Sequence, residues 1–280
     1  MAAHAGSSAS IARGTLREAL GSLRNLAELL HSVRVAPKAL SLVLPGVLEA
    51  CAPMQSAVAT LLEAVPSTVD TAAARAELSD FFALRIAELA LALEAAAARP
   101  MNARSRLALE QVVMRCAFEL EAARELLQLL DDAVSERSVR LDPRELVREA
   151  FSEPPTCRAE GRALVSAMLS SSQSGREIDI NPRVAMTLIA LGVELVGGAA
   201  GGEAPQITIS SDAQGTCIVR IRSKALATGE PLVLTSRGIL PPTLPCLHAA
   251  ARLTGGSLEW CGSPRDFSLS YPLVSATQAG

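Results

Sequence analysis

The stretch Leu247-His248-Ala249-Ala250-Ala251-Arg252-Leu253-Thr254-Gly255-Gly256-Ser257-Leu258-Glu259-Trp260 changes character at its middle. Leu244 to Leu253 has helical spacing, and Pro241-Pro242 precedes it. Gly255-Gly256 reads as the C-terminal stop of that helix. Ser257 to Cys261 then reads as a strand, and Phe267 to Tyr271 as another. Upstream, Gln206 to Ser210 and Thr216 to Arg222 alternate as strands around the turn Asp212-Ala213-Gln214-Gly215. Before them, Pro182 to Val196 is helical and ends at Gly197-Gly198. Glu145 to Phe151 is a short helix stopped by Pro154-Pro155. Arg162 to Leu169 is helix-like, and Ser170 to Gly175 is polar. The second half therefore predicts an α+β domain with an antiparallel sheet.

Before about Leu141 the period is helical almost throughout. Residues 1–10 are small and polar and form a flexible start. Leu16, Leu20, Leu23, Leu26 and Leu30 form one apolar stripe. Pro37 ends or kinks that helix. A second helix runs from about Lys38 to Val65, and Pro45 and Pro53 should bend or break it. Ser67 or Thr68 caps a third, from Val69 to Ala98, which has a long Ala face. After the break at 99–102, a fourth runs from Arg104 to Arg137. Two long helices joined by so short a break are antiparallel neighbours. The domains expected are a helical one over 11–138, with its hairpin at 69–137, and a sheet domain over 139–275.

Composition narrows the function classes. The chain has 280 residues, 49% of them hydrophobic, so it can bury a sizeable core. Its formal charge of -3 excludes a generally basic nucleic-acid binder. The six cysteines show no zinc-ligand spacing and stand singly among apolar neighbours, as buried reduced thiols do. Neither a leader nor a charge-free transmembrane window is visible, so a cytoplasmic protein with no membrane and no nucleic-acid partner is expected. Phosphate-loop, dinucleotide, zinc-protease and serine-hydrolase motifs are all missing.

The order of these pieces resembles the core of a sensor histidine kinase: a helical hairpin followed by a GHKL-type ATP-binding domain. Leu126 to Asp131, then Val139 to Val147, resembles the hairpin's end and the domain's entry. Ile180-Asn181-Pro182-Arg183-Val184 resembles the start of the first ATP-site helix. Leu247 to Trp260 resembles the last helix and its glycine turn, and Phe267 to Leu273 the closing strand. The resemblance implies an α+β fold, with a helical bundle leading into a GHKL-like sandwich whose sheet is mixed but mostly antiparallel. It also implies a homodimer joined through the hairpin and a receiver-domain or other signalling partner.

The family's chemistry, however, is absent. Where the family places asparagines on the first ATP-site helix, this sequence has Leu191 and Leu195, and leucine cannot ligate Mg²⁺. Ser223, Ala225 and Ala227 replace the Asp-x-Gly-x-Gly box. Between Gly238 and Pro245, three prolines remove N–H donors that would face phosphate. No cofactor and no metal are expected. The reading is a non-catalytic pseudokinase or scaffold.

One alternative is a histidine phosphotransferase passing phosphate between receiver domains through His31; another is an ATP-dependent histidine kinase with diverged boxes. His31-Ser32-Val33-Arg34-Val35-Ala36-Pro37 keeps the family's histidine, its arginine and a proline one residue late. Ser32 stands where the family has its general-base acid, so His31 is either a phosphate carrier or an ordinary helix residue. Its helix also does not directly precede the second hairpin helix, where the family places the acceptor. His4 and His248 read as bland. The resemblance places a partner contact around Phe81, Phe82 and Arg85 on the third helix. Phe81 is either an exposed anchor there or packs under the first two helices.

Overall fold

The computed structural model describes residues 2–32, 37–98, 102–135, 137–152, 170–171, 177–197, 205–222, 234–235, 238–239, 244–262 and 265–274. The chain divides into two compact units, Met1–Gln128 and Leu129–Gly280. The fold is α+β, with helices first and a sheet after them.

Four long helices build the first unit: α1 (Ala2–His31), α2 (Pro37–Ala64), α3 (Val69–Ala97) and α4 (Ala103–Ser135). The sequence stripes become its core. Leu16, Leu23, Leu26 and Leu30 of α1, Met54 of α2, Leu78 and Leu89 of α3, and Val113 and Leu120 of α4 are almost wholly buried. α1 packs on α2, and α2 on α3. Arg24 of α1 pairs with Glu121 of α4, and Arg106 of α4 bonds the C-terminal carbonyls of α1, so these two run antiparallel. Arg85 of α3 pairs with Glu119 of α4. The four helices thus close a ring within one chain. The inward stripes of α3 and α4 therefore face this chain's own α1 and α2.

Local chemistry sets the helix ends. Thr68 caps α3 in a reciprocal box: its Oγ1 accepts from Thr71 N at 3.2 Å, and Thr71 Oγ1 accepts from Thr68 N at 2.9 Å. Pro37 opens α2 at the position where a missing N–H costs nothing. Pro45 and Pro53 do not break α2, which is continuous over 28 residues. Both rings are exposed, so neither displaces a core side chain. Within α2, Leu42–Ala64 is long and apolar enough by length and composition to cross a membrane. Leu44, Val47, Met54, Val58 and Leu61 of that segment are buried in the bundle.

The second unit carries β1 (Val139–Leu141), α5 (Pro143–Ser152), β2 (Ser170–Ser171), β3 (Ile178–Ile180), α6 (Pro182–Gly197), β4 (Gln206–Ser211) and β5 (Thr216–Arg222). The small pair β6 (Leu234–Thr235) and β7 (Gly238–Ile239) follows, then α7 (Leu244–Leu253), β8 (Ser257–Gly262) and β9 (Arg265–Pro272). The main sheet runs β2-β4-β5-β9-β8; β2 joins β4 in parallel and every other pair is antiparallel. The latest strand in sequence, β9, therefore sits inside the sheet between β5 and β8. One face stacks Ile209, Val219, Leu269 and Leu258 in register, beneath α6 and α7. The opposite face is polar, with Thr208, Arg220, Ser268 and Glu259 in a row.

Sequence reading missed β1 and β3, which pair with each other. Three residues are too short for alternation to show. Each leads straight into an Asx-Pro helix start: Asp142 Oδ1 accepts from Arg144 N at 2.8 Å, and Asn181 Oδ1 from Val184 N at 3.1 Å. Pairing the two strands thus brings two capped helices, α5 and α6, side by side. The helix expected over 162–169 lies outside the described residues, as do the glycines beyond Gly197. Of the thiols, Cys51, Cys116, Cys217 and Cys246 are buried as expected, but Cys261 is exposed on β8. Burial pushes the Cys116 thiol up to about 12, so it is inert at neutral pH.

Candidate functional site

The chemistry-bearing residues of the bundle gather where α1 ends and α4 begins. A helix end leaves carbonyls unpaired. Here Arg106 satisfies two of them: its Nε donates to Leu30 O at 2.8 Å and its Nη2 to Ser32 O at 2.5 Å. That clamp fixes the last turn of α1 and the ring it carries. His31 Nδ1 lies 2.8 Å from Glu110 Oε1, with the imidazole 86% exposed and the carboxyl only 18%. A carboxylate can only accept, so Nδ1 carries the proton. The neutral ring then holds its lone pair on Nε2. The carboxylate beside the ring thus comes from α4, 79 residues on, and not from the next residue, Ser32. Residues 33–36 of the sequence box lie outside the described residues.

The expected partner contact on α3 has a different outcome at each residue. Phe82 is 1% exposed and belongs to the core, so it offers no surface to a partner. Phe82 lies on the inward stripe of α3 with Leu78, Ile86, Leu89 and Leu93. Phe81 is half-buried, edge-to-face with Phe82 at 6.0 Å, and the Arg85 guanidinium lies 5.5 Å over its ring. Arg85 itself is held between Glu88 at 2.6 Å and Glu119 at 2.5 Å. The contact to Glu119 is close but poorly aligned for a hydrogen bond, so it is an ion pair rather than a directed bond.

In the sheet domain, Asn181 caps the helix that would open an ATP site. Its Nδ2 also donates to Asp132 O at 3.2 Å, so both ends of the amide serve structure. Leu191 is half-buried and Leu195 buried on α6. Gly192 beside them packs against Phe267, where an added Cβ would lie 2.5 Å from a ring carbon. The other positions that the resemblance assigns to an ATP site, Ser223, Ala225, Ala227 and 241–243, lie outside the described residues. No cluster of metal-ligating side chains occurs among the described residues. His248 is half-buried on α7; burial, then Arg252 one turn on, lowers its pKa. That fits a histidine at a helix edge.

The polar sheet face holds one compact charge cluster. Asp266 takes Arg220 Nε at 2.9 and 3.0 Å and Arg222 Nε at 2.8 Å. Burial pushes its carboxyl up, but the two arginines outweigh that and hold it below the ordinary aspartate range. The cluster is internally paired and ties β5 to β9.

No family model matches the chain, and no curated protein matches it. Among solved structures, the Acinetobacter baumannii histidine kinase AdeS aligns with 70% of this chain and 98% of its own. The identity is 14% and the TM-score 0.43. A likeness that distant carries no weight for function, which has to be argued from residues.

Proposed function

We propose that this protein works by protein–protein contact in a two-component-type signalling circuit and does not use ATP. The carrying observation is α6, where Leu195 is buried and Leu191 half-buried at the positions the resembling family gives to the Mg²⁺ ligand. Carbon cannot replace oxygen around a hard cation. Titration calorimetry with Mg-ATP should show no binding tighter than millimolar. A micromolar site would overturn the reading.

One observation favours a second reading, phosphotransfer through His31. Glu110 orients the imidazole and leaves Nε2 in solvent. In this reading the Nε2 lone pair attacks the phosphorus of an aspartyl phosphate on a receiver domain. The N–P bond forms as the P–O bond to the aspartyl carboxylate breaks, and that carboxylate leaves with the electron pair. Glu110 faces the positive charge the ring gains. With a radiolabelled phospho-receiver as donor, the wild type should gain acid-labile label. His31→Gln should gain none, and Glu110→Gln should slow transfer by roughly 10²-fold. Label on the His31→Gln protein would exclude His31 as carrier.

A further inference from the structure

Where the start of α5 meets the end of β4, the sheet unit has a cleft of about 20 Å³. Asp142 and Arg144 line it from the first turn of α5, Ser211 from β4 and Cys217 from β5. Ser211 stands opposite Cys217 in the β4–β5 register, so both lie on the sheet face that the helices cover. Ile209 and Leu273 give the cleft an apolar wall. Two donors here are left over. Arg144 Nε and Ser211 Oγ are both buried from solvent, and neither has a hydrogen-bond partner among the described residues. A buried donor without an acceptor costs stability. Arg144 Nε can only donate, so the group that answers both is an acceptor. Beside a guanidinium, a charged acceptor makes the stronger bond. The nearest carboxylate is already engaged, because Asp142 Oδ1 takes Arg144 N at 2.8 Å. Burial, and then Asp142, pushes the Cys217 thiol up to about 11, which keeps that thiol protonated beside the cleft.

We propose that this cleft binds the carboxylate group of a small monocarboxylic acid. One carboxylate oxygen accepts from Arg144 Nε and Ser211 Oγ, and the planar group matches the planar guanidinium. Ile209 and Leu273 then meet the first carbons of the acid. The Asp142 carboxylate opposes a second negative charge, which disfavours a phosphate dianion or a diacid. Space of this size holds a water molecule or one group of a few atoms, so a nucleotide or a sugar does not fit. The carboxylate can belong to a free acid or to the C-terminus of a peptide, since both present the same atoms. None of the residues given to ATP or to phosphotransfer lines the cleft, so the inference is independent of those readings.

The test follows the arginine Nε–H signals by NMR while sodium propionate replaces sodium chloride at constant ionic strength. One signal, missing from Arg144→Gln, should shift and saturate with a dissociation constant of about 1–10 mM, a range in keeping with so few atoms. Ser211→Ala should weaken binding about tenfold. Asp142→Asn keeps a capping side chain on α5 and should tighten binding about tenfold, because it removes the opposing charge. These opposite signs decide the matter should Arg144→Gln fail to fold. N-acetyl-dialanine that binds more tightly than propionate assigns the carboxylate to a peptide end, and weaker binding assigns it to a free acid. No saturable shift in the wild type, the result expected if water alone fills the cleft, overturns the proposal. So does inorganic phosphate bound as tightly as propionate, or propionate binding that Arg144→Gln leaves unchanged.

Discussion

Gly192→Val should destabilise the sheet domain by about 3 kcal/mol, near the upper end of the usual cost of overpacking a core. Replacing a helical glycine normally gains stability, about 1 kcal/mol for alanine. Here the sign reverses. The new Cβ would lie 2.5 Å from Phe267 Cδ1 and 3.0 Å from Ile221 Cδ1. Phe267 and Ile221 are fully buried and central to the face beneath α6, so neither ring nor methyl can swing into solvent. α6 has to lift instead. Trp260, the only tryptophan, lies on β8 of the same unit and reports its unfolding by fluorescence. A urea midpoint equal to wild type would show that α6 is not seated as described.

The second large effect lies in the bundle. Glu119→Leu should cost about 3 kcal/mol, because it strands the Arg85 guanidinium, whose side chain is only 14% exposed. Glu88 still pairs with Arg85, which keeps the loss at the lower end for a broken buried pair. The double change Arg85→Leu with Glu119→Leu should recover to within about 1 kcal/mol of wild type, because two leucines need no desolvation of charge. Far-UV circular dichroism in urea separates the two outcomes. If the double variant is as weak as the single one, Arg85 contributes through its packing over Phe81 and not through its charge.

Sequence made the helices and longer strands legible because periodicity and end signals agreed. Thr68 is where polar capping chemistry meets the first apolar repeat, and Gly255-Gly256 is where the α7 period stops. Gly255 has φ +78°, and Gly256 N reaches back to Ala251 O at 2.8 Å, so the glycine signal has a backbone cause. β1 and β3 were invisible because each is three residues long and their partners lie far off in sequence: Val139 stands opposite Ile180, and Ile178 also bridges to Leu273. The site was half legible. His31 stands out by rarity, but Glu110 is 79 residues distant and looks like any helix-surface acid. Arg85 interrupts the apolar stripe of Leu78, Phe82, Ile86 and Leu89 on α3. Its acidic partner interrupts the facing stripe at Glu119, and two charges at stripe positions on neighbouring helices are the signal that could have paired them.

Strand order has a consequence for synthesis. A chain leaving the ribosome completes its four helices early, and each packs on a neighbour already made. The sheet cannot follow that schedule. β5 and β8 are both translated before β9, the strand that fills the gap between them. Until residue 272 has emerged, each has a bare edge toward that gap, and a bare edge is a template for pairing with the wrong chain. A pause or premature stop before residue 265 would leave a finished bundle tethered to an open, adhesive half-sheet.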